Sequence, residues 1–544
     1  MGEFTRLTSR RHSGIAKSVK SLLFDGVAGL LAAACFAAGA QNAPHLSITQ
    51  PGGMPGLPVV TGATWASNGV TIAWDGPPGY YQLFQESGLV HPKLSAVGGA
   101  TNLTRQATVK PTSRSAFFRV SGPSPQYTGS QTCAECHSPI LNTLEHTAHP
   151  GAFTNAAFAA KHGQTNLSCL PCHTVGQGLP TGFISLAKTP NLAGVQCENC
   201  HGPAAYHAGN PDDPTQVPRV EVASTLCGGC HDVRYAEWKT SQHTQVISNL
   251  NATTQIGNCG RCHSGTARWS LIEGQTPLAG DAGLGIQCIL CHDPHQTNAY
   301  PAQLRYPLAS TNDYSMPTNG VFSSDYNARI NVCGQCHNDA GASWTNTAAP
   351  PHSSPQYNML LGTVGELATP GPHYQPASHA LLLANQCVDC HMQTVTNGMP
   401  LYTNIGHSHT FTLNTPESYL FCGNCHGINP QDPESFKIFA QEVISNRVQD
   451  LKFDLDFWAT NKAPAALFSK YGSRAWEYTA PGSLSPGGPG PNATEQKLIS
   501  TNIQKARFNV YVVLSDGSLG IHNPFYAQDL LDAAETWIYN DLHP

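Results

Sequence analysis

Charge is what this 544-residue sequence has least of: Asp, Glu, Lys and Arg together make up 11%. The few basic residues form no positive patch, and the net charge at neutral pH is −6. A phosphate backbone would find nothing to hold, so nucleic acid is excluded as a partner. Long hydrophobic runs are also missing; past the first forty residues no stretch is apolar enough to span a membrane. Periodic segments are broken by 51 glycines and 41 prolines. Such a composition forms turns readily and a single aliphatic core poorly. The length leaves room for two or three domains. Unpaired cysteine is nearly absent too: 18 of 19 cysteines fall in pairs of one form, and Cys35 stands apart.

Those pairs are C-x-x-C, and each is followed at once by histidine. The nine are Cys133/Cys136, Cys169/Cys172, Cys197/Cys200, Cys227/Cys230, Cys259/Cys262, Cys288/Cys291, Cys333/Cys336, Cys387/Cys390 and Cys422/Cys425. The histidines that follow are His137, His173, His201, His231, His263, His292, His337, His391 and His426. This spacing lets two thiols form thioethers to the vinyl groups of one haem while the adjacent histidine reaches its iron. Zinc sites also use C-x-x-C, but they do not require histidine as the next residue every time. The cofactor expected is therefore nine covalently bound c-type haems, with those nine histidines as proximal iron ligands. Nine apolar macrocycles would also supply the interior that the composition lacks.

The motifs repeat in groups. With Cys133 aligned to Cys227, the stretch through His149 matches the stretch through His243 without a gap, Leu144 falling on Trp238 and Thr147 on Ser241. The third motif, Gly194-Val-Gln-Cys197, answers to the sixth, Gly285-Ile-Gln-Cys288. The first six haems read as a duplicated three-haem unit. The last three motifs, spaced more widely, read as a diverged third unit.

A six-coordinate iron needs a second axial ligand, and the remaining histidines are numerous enough to supply it. His149 and His243 lead, because the repeat keeps them at one distance from a motif. His207 and His295 come next. His373, His379, His407, His409 and His522 follow, then His146, His162 and His352. One such histidine taken alone reads as a hydrogen-bonded surface residue; as a set they suit bis-histidine ligation, which gives lower potentials than Met/His.

Outside the motifs, residues 1–40 read as a signal peptide. Arg6, Arg10, Arg11, Lys17 and Lys20 precede an apolar run from Gly26 to Ala38 and a small-x-small site at Ala38-Gly39-Ala40. Cleavage there would remove Cys35; the alternative is lipidation of Cys35, although Ala32 fits a lipobox poorly. Arg10-Arg11 does not argue for export of a folded chain, since c-type haem is attached after translocation. Residues 41–127 read as a small all-β, sandwich-like domain, with runs such as Val70–Trp74, Tyr80–Phe84, Gln106–Lys110 and Ala116–Val120 between Gly/Pro turns. Docking to a partner and plain spacing both fit it. Residues 128–430 form the nonahaem region, mostly α and irregular.

Residues 431–544 read as a C-terminal helical region packing on it. Asp432-Pro433 starts one helix, with Phe436, Phe439, Val443, Val448, Leu451, Leu455 and Trp458 at helical spacing. A linker from Pro481 to Pro491 precedes a second helix ending near Gly517, and Asn523-Pro524 starts a third. His522 sits just before that last start.

Tyr127-Thr-Gly-Ser-Gln-Thr-Cys133, Val195-Gln-Cys197-Glu-Asn-Cys200-His201-Gly-Pro and Gln386-Cys387-Val-Asp-Cys390-His391-Met392 resemble one multihaem cytochrome c superfamily. It includes hydroxylamine oxidoreductase, its tetrahaem acceptor cytochrome, the octahaem nitrite and tetrathionate reductases, and the pentahaem ammonia-forming nitrite reductase. The resemblance covers about residues 127–540 and implies closely packed haems relaying electrons. It also offers catalysis at one haem with an open distal site. The nitrite reductases usually ligate that iron with lysine from C-x-x-C-K, and this sequence has no such motif. Hydroxylamine oxidoreductase adds a tyrosine cross-link, for which nothing singles out a tyrosine here. Resemblance of fold does not carry activity with it.

The reading that follows is an exported nonahaem electron carrier, periplasmic or at the cell surface. Its partners would be other redox proteins or an extracellular acceptor, with self-assembly conceivable. The alternatives are a reductase or oxidase of nitrite, hydroxylamine or tetrathionate at one five-coordinate haem, and a β-domain scaffold carrying haems.

Overall fold

The computed structural model describes eight β-strands between residues 33 and 121. Beyond them it describes residues 125–213, 217–246, 250, 253–278, 280–296, 301–305, 332–369, 375–383, 385–393, 407–413, 422, 425–426, 433–485 and 487–544. The chain divides into two compact units that interleave in sequence: residues 1–132 with 174–219, and 133–173 with 220–544.

The first unit holds the strands. β1 (Ala33–Cys35) pairs antiparallel with β2 (Ser47–Thr49). β3 (Val59–Ala66), β4 (Gly69–Asp75) and β7 (Gln106–Val109) form one three-stranded antiparallel sheet in the order β3-β4-β7. β5 (Gln82–Glu86), β6 (Leu94–Ala96) and β8 (Phe117–Ser121) form another in the order β6-β5-β8. Along β4, Val70, Ile72 and Trp74 are buried while the residues between them are half-buried. That alternation is the period-2 signal of a strand with one face covered. β3 was not legible in the sequence, since Gly62 and a register shift after Val60 interrupt its alternation.

In the same unit, Tyr127 to Ser130 is tied down by Glu198, a fully buried carboxylate inside the third motif. Its oxygens accept from the backbone N–H groups of Thr128, Gly129 and Ala204. Gly129 has φ +88°, and a Cβ there would meet the Asn191 carbonyl at 2.7 Å, so no other residue fits.

The second unit is helical and irregular. α1 (Ser130–Leu144) enters it, kinked at His137 with Pro139 inside the helix. α2 (Asp232–Thr240), α3 (Thr253–His263) and α4 (Gly265–Ile272) follow. Most other motifs lie on single helical turns. The C-terminal part holds α5 (Pro433–Asn461), α6 (Ala465–Tyr471), α7 (Thr501–Ser515) and α8 (Pro524–Leu542). Ser500 caps α7 by accepting from Ile503 N–H, and Asn523 caps α8 by accepting from Tyr526 N–H.

These helices build the largest apolar core among the described residues. It runs from Val448, Leu451, Leu455 and Trp458 of α5 through Ile503, Val510 and Val513 of α7 to Leu530, Leu531 and Trp537 of α8. The apolar stripe expected along α5 divides. Its C-terminal half is buried, whereas Phe436, Phe439 and Val443 stay largely exposed and Ile444 turns inward instead. A buried cation ties the segments on either side of the Gly/Pro linker to the core. Arg507 donates to the Trp476 and Glu477 carbonyls and to Gln496 Oε1, and its guanidinium lies 4.1 Å from the Tyr478 ring centroid. Among the described residues no helix is long and apolar enough to cross a membrane.

The packing sets a clear expectation for stability. Leu530→Ala, which empties a fully buried position between α7 and α8, should cost about 2–5 kcal/mol. Phe525→Ala, the second residue of the same helix and 74% exposed, should change stability by no more than about 0.5 kcal/mol. Denaturant unfolding of the two variants measures both.

Candidate haem-iron ligand pairs

A helical turn brings residues three apart to the same side, so the two cysteines of a C-x-x-C face one edge together. None of the eighteen motif cysteines is in a disulfide. In the second unit, thiols of different motifs meet. Cys172 is hydrogen-bonded to Cys230, Cys227 to Cys288, and Cys333 to Cys387. The bond from Cys230 holds Cys172 down to about 7, against the upward push of burial. Motifs two and four, four and six, and seven and eight are thus side by side.

The sequence treats all nine motifs as equivalent haem-attachment turns, and the structure exposes four of their thiols, Cys136, Cys230, Cys259 and Cys425, while their motif partners Cys133, Cys227, Cys262 and Cys422 are half-buried. Cys136 directly precedes the kink at His137, and the buried apolar residues of α1, Leu141 and Leu144, lie beyond that kink. Cys425 belongs to a motif that meets the exposed start of α5, where the Phe436 ring lies 5.2 Å from that of His426. Cys336 is half-buried, and its N–H donates to the Cys333 carbonyl at 3.1 Å. Burial is the main cause that pushes Cys291 of the sixth motif up to about 11, with Cys336 adding to it in smaller part.

The motif histidines face other histidines across the fold. Ring centroids are 6.2 Å apart for His231 and His149, 6.2 Å for His337 and His243, and 5.7 Å for His263 and His352. They are 6.0 Å apart for His292 and His409, 6.1 Å for His426 and His379, and 6.2 Å for His391 and His522. Two metal–nitrogen bonds of about 2.0–2.1 Å plus two ring radii of about 1.1 Å put two imidazoles on one metal about 6.2–6.4 Å apart. These six separations fit that span or fall slightly inside it. Among the described residues no three His, Cys, Asp or Glu side chains converge as they would around zinc; the histidines meet in twos.

Most of the paired rings also have the protonation and orientation that a ligand needs. Burial is the largest cause holding His149, His231, His243, His263, His292, His337, His379, His391 and His409 below the ordinary histidine pKa. Burial and His337 push His243 down to about 4, and burial with His292 does the same to His409. Neutral imidazole is the metal-binding form. Several rings turn Nδ1 to a backbone carbonyl, leaving Nε2 on the partner's side. His292 uses Ala302 at 2.7 Å, His379 uses Ile521 at 3.0 Å, His391 uses Phe411 at 3.2 Å, and His409 uses His407 at 3.0 Å. Such contacts fix the tautomer and ring orientation of metal-bound histidine.

The remaining sequence candidates are placed differently. His173 turns Nδ1 to the Ala152 carbonyl at 2.9 Å and stacks on Phe158 at 3.9 Å, while His201 uses the Arg219 carbonyl at 2.8 Å. His137 is exposed at the α1 kink. His146 is exposed and bonds the Asn142 carbonyl, and His162 is exposed with φ +56°. His207 has a buried Nδ1 with no hydrogen-bond partner in the structure, and His407 bonds the Met392 carbonyl at 2.6 Å. His295 receives its positioning through a backbone bond to Asp293. His373 lies outside the described residues.

The fold repeats what the alignment of motifs suggested and adds residues that the alignment did not single out. Ser130 N–H donates to Gln196 Oε1 and Ser130 Oγ accepts from Cys197 N–H. In the second copy, Ser224 N–H donates to Gln287 Oε1 and Ser224 Oγ accepts from Cys288 N–H. The available signal was serine three residues before Cys133 and Cys227, with glutamine just before Cys197 and Cys288. His149 and His243, each twelve residues past a proximal histidine, both face the first proximal histidine of the following unit. Phe411 was missed altogether. Its ring packs against His243 and His409 while its φ of +57° turns its carbonyl to His391.

C-x-x-C-H turns with histidines facing across iron-sized gaps define a c-type cytochrome with several haems. The comparisons point the same way, finding similarity to multihaem cytochromes c over part of the chain. Residues 132–202 match the family described as cytochrome c554 and c-prime, and residues 183–264 match cytochrome c7 and related cytochrome c. The chain is 26% identical over 190 residues to "Multiheme cytochrome MtrA" of Shewanella baltica, covering 31% of this chain and 52% of that protein. It is 28% identical over 143 residues to "Cytochrome c-554" of Nitrosomonas europaea, covering 21% and 61%. These matches thus span about half to three fifths of those relatives. Among solved structures, "Outer Cell Wall Cytochrome OcwA" aligns with a TM-score of 0.48 at 19% identity, over 76% of this chain and 99% of that one.

The serine–glutamine bond is open to test. Gln287→Leu leaves the buried Ser224 N–H without its acceptor and should cost about 1–3 kcal/mol in denaturant unfolding of the haem-loaded protein. Gln275→Leu, at an exposed position, should be close to neutral.

Proposed function

We propose that this chain is an exported electron carrier holding nine c-type haems, at least six of them ligated by two histidines. The observation that carries the reading is the set of six facing histidine pairs. Each bound haem supplies a one-electron Fe(III)/Fe(II) couple. The chain's own part is to hold, orient and space. All eighteen motif thiols serve as thioether donors in this reading, the exposed Cys136, Cys230, Cys259 and Cys425 and the half-buried Cys336 included, since the C-x-x-C-H spacing is the same in each. Proximal and facing histidines would hold each of those irons between them and leave it no place for a substrate. Carbonyls at Nδ1 fix several of the rings, and burial favours the neutral imidazole at nine of the twelve.

Contacts between motif thiols support a path from the second motif through the fourth to the sixth, and from the seventh to the eighth. The fifth joins the seventh through Cys262 Sγ, which lies 3.7 Å from the Gln335 carbonyl. Export is supported by the basic, apolar and small-residue pattern of residues 1–40, and partners would be redox proteins or an acceptor outside the cell. Residues 41–127, 128–430 and 431–544 are proposed as the domains, and assembly of copies into a filament is compatible with such a carrier.

A second reading, reduction or oxidation of a small nitrogen or sulfur oxyanion, requires an open iron. His137 and His173, which face no histidine among the described residues, are where it would have to lie.

Electron paramagnetic resonance and magnetic circular dichroism of the oxidised protein test the proposal. At least six low-spin bis-histidine haems per chain are expected. His149→Met and His243→Met should each raise the midpoint of one haem, because Met/His ligation raises potential, and His146→Met should raise none. Fewer than six bis-histidine signals, or midpoints untouched by His149→Met, would reject it.

A further inference from the structure

His522 is held unlike the other paired histidines. Where a described partner takes Nδ1 of such a ring, it is a backbone carbonyl for His292, His379, His391 and His409, the amide oxygen of Gln356 for His337, and the hydroxyl of Ser354 for His352. For His522 it is a carboxylate: Asp516 Oδ1 lies 2.6 Å from Nδ1. Asp516 is 2% exposed, so water does little to screen its charge.

The carboxylate is built in place. Asp516 follows the last turn of α7, and residues 517, 519 and 520 all have positive φ, which curls the chain back so that His522 faces the helix end. Ser518 donates through both its N–H and its hydroxyl to Asp516 Oδ2, and Ser518 Oγ accepts from His522 N–H. The loop serves neighbouring pairs as well. Gln356 Nε2 donates to the Asp516 carbonyl while Gln356 Oε1 faces His337 Nδ1. The Ile521 carbonyl takes Nδ1 of His379, which faces His426. Residues 516–522 therefore touch the second coordination layer of the seventh, eighth and ninth motifs together.

A carboxylate at Nδ1 draws the proton toward itself and makes the imidazole a stronger donor. A stronger donor and a nearby negative charge both favour Fe(III) over Fe(II), lowering the potential. We infer that Asp516 is a potential-setting residue that makes the eighth haem the lowest-potential centre of the six paired ones. The Nδ1 proton would stay in the His522–Asp516 bond when the iron changes oxidation state.

The inference rests on His391 and His522 being an axial pair. The test is a potentiometric titration of the haem-loaded full-length protein, followed by the low-spin ferric signals. Asp516→Asn keeps a hydrogen-bond acceptor but removes the charge. It should raise one midpoint by 59 mV or more, a tenfold or larger change in the Fe(II):Fe(III) ratio at fixed potential for a one-electron centre. Ser518→Ala takes a donor away from the carboxylate, leaves its charge less stabilised, and should lower the same midpoint. If Asp516→Asn does not fold, the Ser518→Ala shift decides. No shift, or a shift of the wrong sign in either variant, overturns the inference. His522→Met separates this failure from failure of the ligand assignment: if it leaves the number of bis-histidine signals unchanged, the pairing falls and the inference with it.

Discussion

Two imidazoles held about 6 Å apart, from segments far apart in sequence, are the constraint on which the motif region depends. His149 meets His231, His292 meets His409, and His391 meets His522. Each gap is one that two histidines on a single metal would leave, and each closes a long loop of chain. The motif region has little else to hold it. Its apolar clusters among the described residues are small, such as Leu250, Ile256 and Ala267, or Tyr357, Leu360, Leu361, Ala377 and Ala380. The extended core of α5, α7 and α8 belongs to the C-terminal part. Haem in the motif region would thus act as interior and cross-link at once, and so a sequence so poor in charge and so rich in Gly and Pro can fold there.

The C-terminal helices are then more than a cap. Their core fixes the end of α7 and the start of α8, and between those two ends the loop delivers His522, the Ile521 carbonyl and Asp516. Ordinary hydrophobic packing in one part of the chain positions polar atoms beside ligands in another. The chemistry asked of those atoms is modest: fix a tautomer, hold a ring angle, place one charge. In an electron carrier that is nearly all the protein contributes, since the redox couple itself belongs to the cofactor.

Much of this was legible in the sequence where one residue type answers one local requirement. C-x-x-C-H states its chemistry in five residues, and the helix starts at Pro433 and Pro524 follow from proline's fixed φ and missing donor. The C-terminal faces of α7 and α8 followed from periodicity. The strand at Val59–Ala66 did not, because Gly62 and a register shift break its alternation. Nor did the split of the α5 stripe, since Phe436 and Val448 look alike to a periodicity count although only Val448 meets a neighbouring helix. The motif alone also could not tell which thiols stand exposed, as Cys136 and Cys425 do, or which meet another motif, as Cys227 and Cys288 do, because that depends on what crosses each turn. Which histidine faces which was invisible for the same reason. His352 facing His263 and His409 facing His292 are decided by how distant segments cross, and nothing local to either residue encodes that. The twelve-residue spacing of His149 and His243 marked them as a pair of equivalents but could not say that each reaches forward to the next unit. Phe411 and Asp516 act through other residues, so no motif announces them.

The most direct measurement is an iron anomalous difference map from crystals of the haem-loaded protein. The account predicts an iron peak midway between the rings of His149 and His231, and likewise for His243 and His337, His352 and His263, His409 and His292, His379 and His426, and His522 and His391. An iron beside any of those proximal histidines with water or another side chain opposite it would contradict the account.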